Sequence, residues 1–213
     1  MFPQLRKICD RYLTEKVKVV EPAHILDLFL SPYYGWVIEK LSESIYPDTG
    51  AGETPEIPKY ETHRGNGSTD DINFFTGKPV REVVKSHLNC VVADTDQWEQ
   101  AAAYIIDTHP ATESFVKNER LGFTIPYFHN GEDHDYIPDF IIRLKTAKSN
   151  YLILETKGWD ELREVKQAAA KRWCNAINAD GKHGHWQYFL TGLSKVKEGI
   201  DEAIREIEAL TNQ

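Results

Sequence analysis

The chain reads as an α/β protein with an α-β-β-β-α-β core, a mixed sheet flanked by helices, and an N-terminal appendage that is mostly helical. Three observations carry that reading. From Asp94 onward, segments of helical apolar spacing alternate with short β-prone runs in the order α-β-β-β-α-β-α. Two of those runs, Tyr136 to Leu144 and Asn150 to Lys157, are rich in Ile, Leu, Phe and Tyr, yet they carry acids at Asp139 and Glu155. A helical segment between the last two strands supplies the crossover that a parallel pair needs.

The elements follow in chain order. Leu5 to Val20 has amphipathic helical spacing, and Pro22 to Ile45 continues as helix interrupted at Ser31-Pro32. From Pro47 to Gly67 the composition shifts to Pro, Gly, Thr and Glu, which marks a linker or long loop. The expected organisation is thus a helical region at 1–47, a linker at 48–67 and the α/β domain at 68–213. Asp71 to Thr76 and Val80 to Val92 read as strands around a turn at Gly77-Lys78-Pro79.

Asp94 to Thr108 is a helix, with Asp96 and Glu99 spaced as a capping box and Pro110 beyond its end. Glu99, Ala102, Ala103 and Ile106 fall on one stripe, so Glu99 is either a cap or an acid facing the sheet. Gly122 to Phe128 is a strand, Asn130-Gly131 a hairpin turn, and Tyr136 to Leu144 the returning strand. Asn150 to Lys157 is the next strand, followed by a helix from Glu161 to Asn178 with Leu162, Val165, Ala169, Trp173 and Ala176 at helical spacing. Trp186 to Thr191 is the last strand, and Ser194 to Leu210 closes the chain as a helix.

Composition narrows the class. Hydrophobic residues at 41% with 27% charged residues fit a globular protein rather than a disordered one. No apolar run approaches the ~18 residues of a membrane span, and the N-terminus lacks the apolar stretch of a secretory signal. Cys9, Cys90 and Cys174 are odd in number and far apart, which argues for reduced thiols in a cytoplasm and against a zinc ribbon. A net charge of −8 opposes nucleic-acid binding in general, but Arg143 to Arg172 holds eight basic and four acidic residues, a local basic strip.

The acids in the two apolar runs carry the chemistry. Glu155 and Lys157 are two apart and share a strand face, and Asp139 joins them if its run pairs alongside. Two carboxylates and an ammonium at a sheet end suit a hydrated Mg²⁺ and a phosphodiester. The competing reading is a structural ion-pair set of Asp139, Glu155, Lys157 and Arg143. Elsewhere, His129, Glu132, Asp133, His134 and Asp135 flank the hairpin turn and read as a solvated tip. His183 and His185 are weak zinc candidates. Trp159, Trp173 and Trp186 read as packing groups more than as base-stacking platforms.

Pro138-Asp139 on one strand and Glu155-Thr156-Lys157 on the next resemble the PD-(D/E)XK nuclease superfamily. Further segments are similar to the C-terminal endonuclease region of type III restriction enzyme Res subunits and related helicase-nucleases. These are Lys85 to Asn89, Asp94-Thr95 with Trp98-Glu99, Val116 to Asn118, Leu121 to Tyr127, Tyr136 to Phe140, Leu152 to Gly158, and Trp173 with Ala176 and Asn178. The resemblance spans Ser68 to Leu193. It implies a restriction-endonuclease-like core and a Mg²⁺-dependent DNA endonuclease, with Mn²⁺ substituting, that serves as the cleavage module of a restriction or defence system. Asp139, Glu155 and the Thr156 carbonyl would bind the metal. Lys157 would orient the attacking water, and Glu99 would be an outer ligand, with Glu113 as its substitute. Lys117, Gln167 and Lys171 are the expected nucleic-acid contacts. No Gly-x-x-x-x-Gly-Lys-Ser/Thr phosphate loop is present, so a helicase motor, like a methyltransferase subunit, would be a partner or a further part of a longer protein. A second copy would serve double-strand cleavage. The alternative is a catalytically silent nucleic-acid- or partner-binding module on the same fold.

Overall fold

The computed structural model describes residues 2–30, 32–44, 68–93, 98–129, 132–156 and 162–211. The chain clusters into two compact units, Met1–Tyr46 with Tyr127–His134, and Pro47–Pro126 with Asp135–Gln213. The expected linker at 48–67 lies outside the described residues.

In the first unit, helix α1 (Phe2–Glu15) precedes a short 3-10 helix at Ile25–Phe29 and helix α2 (Tyr33–Ser44). His24 and Asp27 form a reciprocal capping box on the 3-10 turn: the His24 side chain accepts from the Leu26 N–H, and the His24 N–H donates to Asp27.

The second unit is a mixed α/β domain. Strands β1 (Val80–Glu82) and β2 (Cys90–Val92) pair antiparallel and lead towards helix α3 (Trp98–Thr108). Next in chain order come β3 (Thr112–Lys117), then β4 (Ile125–His129) and β5 (Glu132–Tyr136), most of whose residues belong to the first unit, then β6 (Phe140–Leu144) and β7 (Asn150–Thr156). Helix α4 (Arg163–Asp180), strand β8 (His185–Thr191) and helix α5 (Val196–Thr211) complete it. The central four-stranded sheet has the order β3-β6-β7-β8, with β3, β6 and β7 antiparallel in turn and β8 parallel to β7.

Three expectations change. The sheet's edge strand is Thr112–Lys117, a run not expected to be a strand; β4 pairs only with β5, in a separate two-stranded sheet. Its polar residues hid it, because an alternating Thr-Glu-Ser-Phe-Val-Lys run buries only every second or third side chain. The run from Tyr136 to Leu144 is two strands, since Pro138 has no N–H to donate to a ladder. Asp71 to Thr76 holds no strand; a 3-10 turn at Thr69–Asp71 is capped by Ser68, whose hydroxyl accepts from the Asp70 N–H.

The pleat divides the sheet chemically. One face of β6 and β7, with Phe140, Ile142, Leu144, Leu152 and Leu154, joins Phe115 of β3 in a core closed by α3 (Ala102, Ala103, Ile106) and α5 (Val196, Ile200, Ala203, Ile207). α4 packs on β8, where Asn178 bonds both backbone groups of Trp186: its Nδ2 donates to the carbonyl (2.8 Å) and its Oδ1 accepts from the N–H (2.7 Å). Trp186 stacks on Tyr151 (4.6 Å) and meets Trp173 edge-on (5.1 Å), so these indoles are packing groups. Gly181 ends α4 in the left-handed conformation (φ 70°).

Gly199 lets α5 close on the sheet. A Cβ there would sit 2.5 Å from Phe189 Cδ1 and 2.7 Å from Cε1. In an open helix Gly→Ala adds about 1 kcal/mol of stability, whereas overpacking a core costs about 1–3 kcal/mol. Gly199→Ala is therefore expected to lower the thermal midpoint, by denaturation followed by circular dichroism. A raised midpoint would show that α5 can shift away from Phe189 at little cost.

Candidate active site

Asp139 and Glu155 come together through register. Phe140 pairs with Leu154, so Asp139, immediately before β6, falls opposite Glu155 near the end of β7. Directly opposed residues of an antiparallel pair share a face. The two acids then bind each other's strand: the Asp139 N–H donates to Glu155 Oε2 (3.1 Å), while the Thr156 N–H and hydroxyl donate to Asp139 Oδ2 (2.8 and 2.5 Å). Glu155 Oε2 also accepts from the Tyr136 hydroxyl at 2.6 Å. Each carboxylate thus has one oxygen held by two donors. No hydrogen bond reaches the other oxygen, Asp139 Oδ1 or Glu155 Oε1, among the described residues.

Glu99 and Lys117 flank this pair. Glu99 lies in the first turn of α3 and is 8% exposed, on the stripe with Ala102, Ala103 and Ile106. Its carboxylate is 3.2 Å from the ammonium of Lys117, the last residue of β3, which is itself only 6% exposed. Glu119 stands 3.7 Å from the same ammonium. The expected capping partner of Glu99, Asp96, lies outside the described residues.

The electrostatics follow from burial. Desolvation raises the Asp139 carboxyl; the Thr156 hydrogen bonds and Lys117 oppose that shift, and the charge of Glu99 adds to it. Glu155 is pushed up to about 7, first by burial and then by the charge of Asp139, against the hydrogen bonds from Tyr136 and the Asp139 N–H and the charge of Lys166. Tyr136 is raised well above its usual range, chiefly by burial, and so remains a donor. Lys166 of α4 reaches the site, its ammonium 5.8 Å from the Tyr136 ring centroid.

Other expected residues stand apart. Glu113, the substitute acid, is exposed and pairs with Arg143 at 3.2 Å near the far end of β3 and β6, so neither belongs with Asp139 and Glu155. Lys117 is a buried ion-pair partner and presents no surface ammonium to a phosphate. On α4, Lys171 is exposed and Gln167 half-buried, and Lys166 is the residue that approaches the acids. Lys157, Gly158 and Trp159 lie outside the described residues. At the hairpin Glu132, Asp133 and Asp135 are exposed, and His134 stacks on Tyr127 at 5.2 Å. His183 approaches Asp180 at 3.9 Å. The sequence reading missed the Glu99–Lys117 pair and the Tyr136 bond. The first needed β3 to be recognised as a strand, and the second had only an aromatic residue three before an acid as its signal.

The donor set fits Mg²⁺. Among the described residues no group of three or more His, Cys, Asp or Glu side chains stands together as a metal cage, and Glu99 is turned to Lys117. Mg²⁺ commonly binds through one or two carboxylates and keeps several waters, which two carboxylates, each with one oxygen that takes no hydrogen bond among the described residues, can satisfy.

Glu155 also sets a stability dependence on pH. Its carboxyl is raised from 4.5 to about 7 in the fold, so the protonated form is favoured there. The contribution is fully present below the unfolded value of 4.5 and is lost as pH rises through about 7. In chelator, the stability of wild type relative to Glu155→Gln is expected to fall by roughly 3 kcal/mol or less between pH 4.5 and 8. A difference independent of pH would mean that Glu155 is not desolvated.

No family model, no curated protein and no solved structure matches this chain, so its function rests on the groups gathered at this end of the sheet.

Proposed function

We propose that the second unit is a Mg²⁺-dependent DNA endonuclease of the restriction-endonuclease-like fold, related to the cleavage module of type III restriction and helicase-nuclease systems. The observation that carries this reading is the Asp139–Glu155 pair, in which two desolvated carboxylates each keep one oxygen outside the hydrogen bonds of the described residues. Burying two like charges side by side is costly unless a cation offsets them. Bound Mg²⁺ supplies Lewis acidity at the scissile phosphate and a more acidic water.

The chain's own residues do the rest. Asp139 and Glu155 hold the cation site open, and Thr156 fixes Asp139 from the neighbouring strand. Glu99 contributes negative charge beside Asp139, balanced by Lys117. Lys157, two residues beyond Glu155, is assigned the orientation of the attacking water and the offset of charge developing on the phosphate. The Thr156 carbonyl is assigned as a further ligand. DNA approaches an acidic chain, so the basic residues around α4 and any partner subunit supply the attraction.

A silent binding module is favoured by one feature, the reciprocal bonding of Asp139 and Glu155 to each other's strand, which also serves as a structural latch. Plasmid cleavage separates the two. Asp139→Asn and Glu155→Gln keep the shape and much of the hydrogen bonding, and each is expected to reduce Mg²⁺-dependent cleavage by roughly 10²–10³-fold or more while the protein stays folded. Wild type inert on single- and double-stranded DNA with Mg²⁺ or Mn²⁺, or mutants as active as wild type, would leave the latch as the whole role of the pair.

Glu99 is tested through its partner. Glu99→Gln removes charge from a buried pair and is expected to cost about 3 kcal/mol of stability as well as activity. In Glu99→Gln/Lys117→Met the stray ammonium is gone and much of that stability returns. Cleavage stays low if the Glu99 charge serves the metal. Cleavage restored together with stability would reduce Glu99 to the ion pair.

A further inference from the structure

We infer that Tyr136 is a positioning residue for the metal site, fixing which oxygen of Glu155 is offered to the cation. This inference rests on the nuclease reading above and adds a residue that the carboxylate-lysine motif does not contain. Tyr136 ends β5, three residues before Asp139, and buried Pro138 turns the chain between them. The ring is 2% exposed, and its hydroxyl is 2.6 Å from Glu155 Oε2. Together with the Asp139 N–H at 3.1 Å, it gives that oxygen two donors.

A carboxylate held in this way has one occupied edge. Oε2 carries two hydrogen bonds, so Oε1 is the oxygen that would be offered to a cation. The Thr156 N–H and hydroxyl do the same for Asp139, occupying Oδ2 and leaving Oδ1. The clamps come from neighbouring backbone, the Thr156 hydroxyl and one aromatic side chain, and the Tyr136 bond can be removed without losing a ligand. A phenol carries its proton at neutral pH and donates. Hydrogen-bond partners of metal ligands typically control affinity by 10–100-fold. A tyrosine that merely satisfied its own buried hydroxyl would affect stability instead.

The test uses the full chain and Mn²⁺ alone, read by titration calorimetry and by the electron paramagnetic resonance of free and bound Mn²⁺. Tyr136→Phe deletes one oxygen and is expected to weaken Mn²⁺ binding about tenfold, with the resonance of the bound ion altered. Tyr151→Phe, on the same face but stacked on Trp186, is expected to bind as wild type. Wild-type affinity in Tyr136→Phe overturns the inference, even if its thermal midpoint falls, while leaving the nuclease reading in place. Wild type that binds no Mn²⁺ overturns both. Should Tyr136→Phe fail to fold, 3-fluorotyrosine at position 136 retains the ring and makes the hydroxyl a stronger donor. A several-fold change in Mn²⁺ affinity is then expected, and an unchanged affinity overturns the inference.

Discussion

Two hydrogen-bond exchanges across β6 and β7 hold the molecule's most costly groups in place. Asp139 accepts from the backbone of Thr156, and Glu155 accepts from the backbone of Asp139. Without these donors, two half-buried carboxylates on adjacent strands would repel and drift toward solvent. With them, one oxygen of each carboxylate is held by two donors. The sheet register then becomes part of the chemistry, since a slip of one residue between β6 and β7 would send Asp139 and Glu155 to opposite faces. Apolar residues enforce that register: Phe140, Ile142, Leu152 and Leu154 reach the core only in the observed pairing.

Charge is arranged around that exchange in two layers. Glu99 and Lys117 stand on the α3 side, nearly neutral as a pair and nearly dry. Lys166 approaches from α4, on the side of Tyr136 and Glu155. The Lys117 charge is thus spent on Glu99, and Lys166 is the cation on the Glu155 side.

Much of the architecture was legible because its signals are local and periodic. The stripe Glu99, Ala102, Ala103, Ile106 is buried as the spacing indicated, and α4, β7, β8 and α5 fall within a few residues of their expected bounds. Asp139 and Glu155 stood out as charges inside apolar runs. Illegible parts depended on tertiary context. β3 contains Thr, Glu, Ser and Lys and becomes a strand only because β6 offers it a ladder. Lys117 looked like a surface cation because nothing in its neighbourhood of sequence reveals the carboxylate of Glu99, eighteen residues earlier. Glu113 and Arg143 were both drawn into readings of the site, yet they neutralise each other at the opposite end of the strands.

The aromatic packing beneath α4 has an optical consequence. Trp173 rides on the helix that carries Lys166, Trp186 sits on β8, and Phe123 lies edge-on to the first and stacked on the second, at 5.3 and 6.1 Å. Asn178 pins the helix to the Trp186 backbone a short distance away. Any displacement of α4 against the sheet must change the surroundings of both indoles at once, so two of the chain's five tryptophans form a built-in fluorophore at the contact between the helix and the acid-bearing sheet.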